Sequence, residues 1–143
     1  MSRTRYARLR LDGLLYGIEA DRVQEVLAPP PLARLPLAPP AVAGLMNLRG
    51  RIVTVLDLRR CLDLPARAPG APAVNLVLGS ADNPLGLLAD EVGEVLEIDE
   101  AAWAPRPDTA RGAGHALVSG VYQLDSELLR VLDPDLLRAC AAA

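Results

Sequence analysis

The sequence holds no lysine and no phenylalanine, one tryptophan, one histidine and two cysteines. Each shortage removes a class of function. All 15 cations are arginines, and against 18 carboxylates they leave a net charge of −3. That is no basic footprint for nucleic acid or an anionic membrane. Aromatics at 3% leave no stacking surface for single-stranded nucleic acid. The single histidine, His115, lies in the loop "RGAGHALVSG" with neither cysteine beside it, so it supplies no dyad and no metal set. Cys61 keeps helical spacing with Leu58 and Leu62, and Cys140 sits in the alanine-rich tail. Without a CxxC motif the two thiols fit a reduced cytoplasm. No apolar run approaches the roughly 20 residues of a bilayer span. The opening "MSRTRYARLRL" alternates charged and apolar residues and lacks the apolar core of a secretory signal. "GRIVTV" lacks the lysine and the following helix of a phosphate-binding loop. The carboxylates Asp21, Glu25, Asp90, Glu91 and Glu94 are spread along the chain, and an enzyme would need a cleft around Glu91 and Glu94. The expectation is no catalytic residue, no cofactor and no metal.

What is present is apolar: 51% of 143 residues are hydrophobic, enough to pack one domain. The chain also repeats itself. "YGIEADRVQEVL" (16–27) and "LGLLADEVGEVL" (85–96) coincide without a gap at Gly17/Gly86, Ala20/Ala89, Asp21/Asp90, Val23/Val92, Glu25/Glu94, Val26/Val95 and Leu27/Leu96. "GLMNLRGRIVTVLD" (44–57) lies on "GVYQLDSELLRVLD" (120–133) with Gly44/Gly120, Leu48/Leu124, Val55/Val131, Leu56/Leu132 and Asp57/Asp133 in register. Two related halves, 5–66 and 73–138, are therefore expected around a 67–72 linker within a single 1–143 domain.

Both halves read in one order. Each opens with an alternating strand (Ala7, Leu9 and Leu11; Val74, Leu76 and Leu78) and a turn, Asp12-Gly13 or 80–84. The repeated segment follows. Val23, Val26 and Leu27 suit a turn or two of helix, with strand as the β-branched alternative. Next come an irregular loop, a second hairpin and a helix capped by Asp57 or Asp133, with Pro134 in its first turn. Short strands punctuated by glycine and proline predict an all-β chain with short helices, as two small five-stranded antiparallel β-barrels side by side. Neither half can bury much alone, so an apolar seam should join them, and strands exchanged between the halves remain open.

One feature of the repeat departs from its pattern. Asn47-Leu48-Arg49-Gly50-Arg51 becomes Gln123-Leu124-Asp125-Ser126-Glu127, so the scaffold is kept while the tip charge reverses. A tip needed only for turning tolerates either set. One tip has been specialised, or both have drifted in solvent.

"GLMNLRGRIVTVLDLRRCLDL" resembles the defining hairpin and helix of the CheW family of chemotaxis coupling proteins, and "YGIEADRVQEVL" resembles another of its segments. "GLLADEVGEVLEI" and "ELLRVLDPDLL" resemble its second half, so the likeness covers residues 5 to 138. It implies two SH3-like barrels around a shared core and a non-enzymatic adaptor without cofactor. Such an adaptor would couple the cytoplasmic tips of chemoreceptors to the regulatory domain of a CheA-type histidine kinase. It would be cytoplasmic, recruited to membrane-associated receptor arrays, and capable of self-association in rings, with no membrane insertion and no nucleic acid. By the same resemblance Arg49 is the interface arginine, and Gly44, Asn47 and Gly50 shape its hairpin. Val23, Glu25 and Val26 line the receptor groove, and Ala73 and Val74 open the region linked to kinase pairing. The proline-rich "APPPLARLPLAPPAVAG" and the lack of phenylalanine depart from the family. Other readings are an adaptor of pilus motility or second-messenger control, and a small-barrel nucleic-acid module that the acidic charge opposes.

Overall fold

The computed structural model describes residues 2–79, 83–106 and 116–141. His115 and the 80–82 part of the second-half turn lie outside them. Two β-sheets make up the molecule. The first hairpin is β1 (Arg3–Leu11) and β2 (Leu14–Glu19), turned by Asp12-Gly13 with φ of 52° and 79°. Two successive left-handed residues are what a two-residue hairpin needs to match strand twist. The repeated segment then resolves as strand. Only Ala20–Arg22 form a 3-10 turn, and β3 (Val23–Leu27) is extended. Helical spacing loses there because Val23 and Val26 are β-branched and β3 pairs with β6 (Val74–Leu78).

The second hairpin, β4 (Val42–Leu48) and β5 (Arg51–Asp57), leads into α1 (Leu58–Cys61). The second half supplies β6, β7 (Leu85–Ala89), β8 (Glu91–Asp99), β9 (Trp103–Pro105), β10 (Val118–Gln123), β11 (Leu128–Leu132) and α2 (Pro134–Ala139). Both helices start as the sequence predicts: Asp57 accepts from the Arg59 N–H at 3.0 Å and Asp133 from the Asp135 N–H at 2.9 Å. Such a cap stabilises by about 1 kcal/mol.

The sheets do not follow the halves. One has six strands in the order β8-β1-β2-β11-β10-β9, the other five in the order β3-β6-β7-β5-β4. Each half's opening hairpin is built into the sheet completed by the other half. Two parallel pairings result, β11 with β2 at Val131↔Gly17 and β5 with β7 at Val55↔Gly86. These residue pairs are equivalents under the duplication, so the exchange is symmetric.

The core has three parts. The largest cluster joins Leu9, Leu11 and Ile18 of one sheet to Leu56, Leu76, Leu78 and Leu87 of the other, with Leu58 and Leu137 from the helices. It is the expected apolar seam, and leucine supplies the volume that phenylalanine would. Tyr6, Leu15, Ile98, Tyr122, Leu129 and Val131 fill the six-stranded sheet. Met46, Val53, Val55, Val77 and Leu88 fill the five-stranded one. Fully burying a leucine contributes about 1.5–3 kcal/mol, so the seam dominates the stability. The cysteines are not isolated from each other. Burial first, and the neighbouring Cys140 second, push the Cys61 thiol up to about 12, and both remain free.

Candidate functional site

The β4–β5 hairpin closes with Leu48 opposite Arg51, leaving Arg49-Gly50 as a two-residue loop with φ of 51° and 85°. Gly50 is required by backbone conformation, since a Cβ there would meet nothing within 4 Å. Asn47 pins the turn, its Oδ1 accepting from the Gly50 N–H at 2.9 Å. At Gly44 the constraint is space: a Cβ would lie 2.7 Å from the Ala33 carbonyl oxygen. Ala33 and Leu45 exchange two backbone hydrogen bonds of 2.8 Å, which lay the proline-rich loop across β4.

The Arg49 guanidinium forks onto the Glu25 carboxylate with bonds of 2.6 and 2.7 Å. Arg49 is 67% exposed and Glu25 only 20%. The arginine holds the Glu25 carboxyl below the usual range, and the carboxylate raises the guanidinium in turn. This answers part of the question set by the reversed tip charge: Arg49 ties its hairpin to β3. The fork uses one N–H on each terminal nitrogen, and the other three of the five donors have no partner among the described residues. Beside it is a small hollow of about 150 Å³ lined by Gln24, Leu48, Arg49, Arg51, Val53 and Pro84.

The other sequence candidates divide. Val26 is 48% exposed on β3, an end strand of its sheet, whereas Val23 packs against the central core. Val74 opens β6, three residues from Val77, the partner of Glu25; along a strand that is about 10 Å. Ala73 precedes it. The structure brings Arg49, Asn47, Gly50 and Glu25 together at one end and leaves Ala73 and Val74 further along.

Sequence reasoning missed three features. Ile52 stands 69% exposed on β5 next to the tip. Glu127, the counterpart of Arg51, forks onto Arg10 of β1 at 2.7 and 2.8 Å. Asp90 accepts from Arg59 at 2.6 and 2.9 Å, from Arg67 at 3.1 Å and from the Asp12 N–H at 2.9 Å. Arg59 above all holds the Asp90 carboxyl at about 2. This network ties α1, the linker, the β1–β2 turn and the β7–β8 junction into one knot. The only sequence signal was Asp21/Asp90 in the repeat, which names the acid and none of its partners. Among the described residues no three His, Cys, Asp or Glu side chains converge as a metal set, and no helix is long and apolar enough to cross a membrane.

The chain is similar to known proteins in sequence and fold. The family model described as the CheW-like domain matches residues 5–140. The chemotaxis protein CheW of Rhizobium meliloti (strain 1021) is 27% identical over 113 residues, 79% of this chain and 73% of that protein. The protein of the same name from Bacillus subtilis (strain 168) is 24% identical over 86% of this chain and 79% of its own. Among solved structures, the scaffolding protein TtCheW of Thermoanaerobacter tengcongensis superposes with a TM-score of 0.82 at 26% identity, covering 92% of this chain and 90% of that one.

Proposed function

This chain belongs to the CheW-like domain family, and on that premise we propose that it is a non-enzymatic coupling adaptor of chemotaxis. It holds the cytoplasmic tips of chemoreceptors to the regulatory domain of a CheA-type histidine kinase, at the membrane-associated receptor array. The observation that carries the reading is the Arg49 tip. A two-residue loop pinned by Asn47 presents a guanidinium that is fixed by Glu25 yet 67% exposed. Such a group is preorganised for carboxylates or helix carbonyls of a partner, because its rotamer is already set and three donors have no partner among the described residues. A receptor tip of helices would offer those acceptors beside an apolar stripe, and the exposed Val26 and Ile52 provide apolar surface on the same sheet. Ala73 and Val74, at the start of β6, are proposed to face the kinase.

The test is titration of the purified chain against the regulatory domain of a CheA-type kinase and against a receptor cytoplasmic fragment. Binding in the micromolar range is expected, and Arg49→Glu should weaken it about tenfold or more while the melting curve stays in place. A melting curve that collapses in this variant would make Arg49 a structural residue. No binding to either partner would overturn the adaptor reading.

A further inference from the structure

The chain has four aromatic side chains, and three of them meet at one end of the six-stranded sheet. The Tyr6 and Tyr122 rings are buried with centroids 5.5 Å apart, and their hydroxyls share a hydrogen bond of 3.1 Å. Trp103 stands edge-on to Tyr122 at 5.4 Å and remains 40% exposed. The indole reaches this position because residue 120 has no side chain; a Cβ there would lie 2.0 Å from its six-membered ring.

A hollow of about 340 Å³ opens beside these rings, lined by Thr4, Tyr6, Glu19, Glu100, Trp103 and Tyr122. Its lining carries two carboxylates and no cation. The Thr4 hydroxyl donates to one oxygen of Glu100. Among the described residues neither Glu19 nor Glu100 has a cationic partner. Burial first, then the Tyr122 hydrogen bond and the two nearby carboxylates, raise the Tyr6 phenol, which keeps its hydroxyl protonated. The polar atoms around the hollow are therefore mostly acceptors, set against an exposed aromatic wall.

We propose that this hollow is a docking pocket for an arginine side chain of a protein partner. Two carboxylates with no cationic partner among the described residues, set beside an aromatic wall, favour a cation. A guanidinium is flat and weakly hydrated, so it stacks on an indole, and its fork of N–H donors meets carboxylate and phenol oxygens in one plane. A quaternary ammonium has no donor for those oxygens, and a lysine ammonium gives up more hydration on leaving water. The pocket lies on the six-stranded sheet and the Arg49 tip on the five-stranded one, so the loss of either site leaves the other in place.

Trp103 is the only tryptophan, so the emission of the intact chain reports on this pocket alone. Titration with N-acetylarginine amide should shift or quench that emission saturably. N-acetylnorleucine amide should do nothing, and tetramethylammonium should bind more weakly. Glu19→Gln and Glu100→Gln should each weaken the arginine amide about tenfold, with melting curves confirming that both variants fold. The proposal is overturned by an equal response to the neutral analogue or by tighter binding of tetramethylammonium. It is equally overturned by no saturable change, or by an affinity that both glutamine variants leave untouched.

Discussion

The two second hairpins of the repeat share a scaffold and differ at their ends. In the first, the cation sits at the apex: Arg49 forks onto Glu25 of β3 and stays 67% exposed. In the second, the clasp has moved to the shoulder and changed sign: Glu127 forks onto Arg10 of β1 and is 35% exposed, while Asp125 holds the exposed apex. The second loop is closed by a backbone bond from the Leu124 N–H to the Glu127 carbonyl at 2.9 Å, and Gln123, the counterpart of Asn47, donates its side-chain N–H to the Leu124 carbonyl at 2.8 Å instead of reaching across the turn. Both hairpins thus use a bidentate ion pair to clasp a strand outside themselves, β3 for the first and β1 for the second. Only the first keeps the clasping group itself largely in solvent, where a partner can reach it. The duplicated glycines diverge in the same way. Gly44 makes room for a loop backbone, whereas Gly120 makes room for an indole.

The sharpest way to break the comparison is to separate the halves. Cutting the chain near Ala68 should leave two fragments without cooperative melting, because each half lacks the hairpin that completes its sheet. Mixing the fragments should restore a single transition by circular dichroism; two fragments that each melt cooperatively would refute the exchange. The next largest effect tests the shared scaffold. Leu56→Ala and Leu132→Ala, equivalent and fully buried in the seam, should each cost about 2–5 kcal/mol in denaturant titrations, with similar values. A large disparity would show that the halves contribute unequally to the core.

A smaller, asymmetric effect is expected at the glycines. Gly44→Ala presses on the carbonyl of Ala33, a residue held to Leu45 by two backbone hydrogen bonds, and should cost about 2–3 kcal/mol. Gly120→Ala should cost less, about 1–2 kcal/mol, because a half-exposed indole can swing away. Its signature would be a red shift of Trp103 emission. The smallest effect on stability is at the tips. Arg49→Glu should barely move the melting temperature, and Glu127→Arg, which sets two arginines together in a less exposed place, should lower it more. The reverse order would mean that the first tip is the structural one.

The sequence made visible what is local or repeated. Asp12-Gly13, Asp57, Asp133 and Pro134 act through neighbours two or three residues away, and all four do what their chemistry predicts. The Arg49 tip stood out because the duplication supplied Asp125 as its control. Glu25 was legible only through the family resemblance, since nothing in a 24-residue separation marks it as the partner of Arg49. Val23 and Val26 were ambiguous because their spacing fits a helical turn, and the choice was made by β6, a strand from the other half. The Asp90 knot was invisible for a related reason: Arg59 and Arg67 converge on it from a helix and a linker that only the finished fold brings together.

The exchanged hairpins also set a timetable for synthesis. Arg3 leaves the ribosome before its strand partner, Asp99, which is made 96 residues later. At ~5–20 residues per second that is a wait of roughly 5–20 seconds, during which β1 presents an open edge. The arginines that alternate along it, Arg3, Arg5, Arg8 and Arg10, keep that edge charged through the interval, and charge is what discourages one nascent strand from pairing with another.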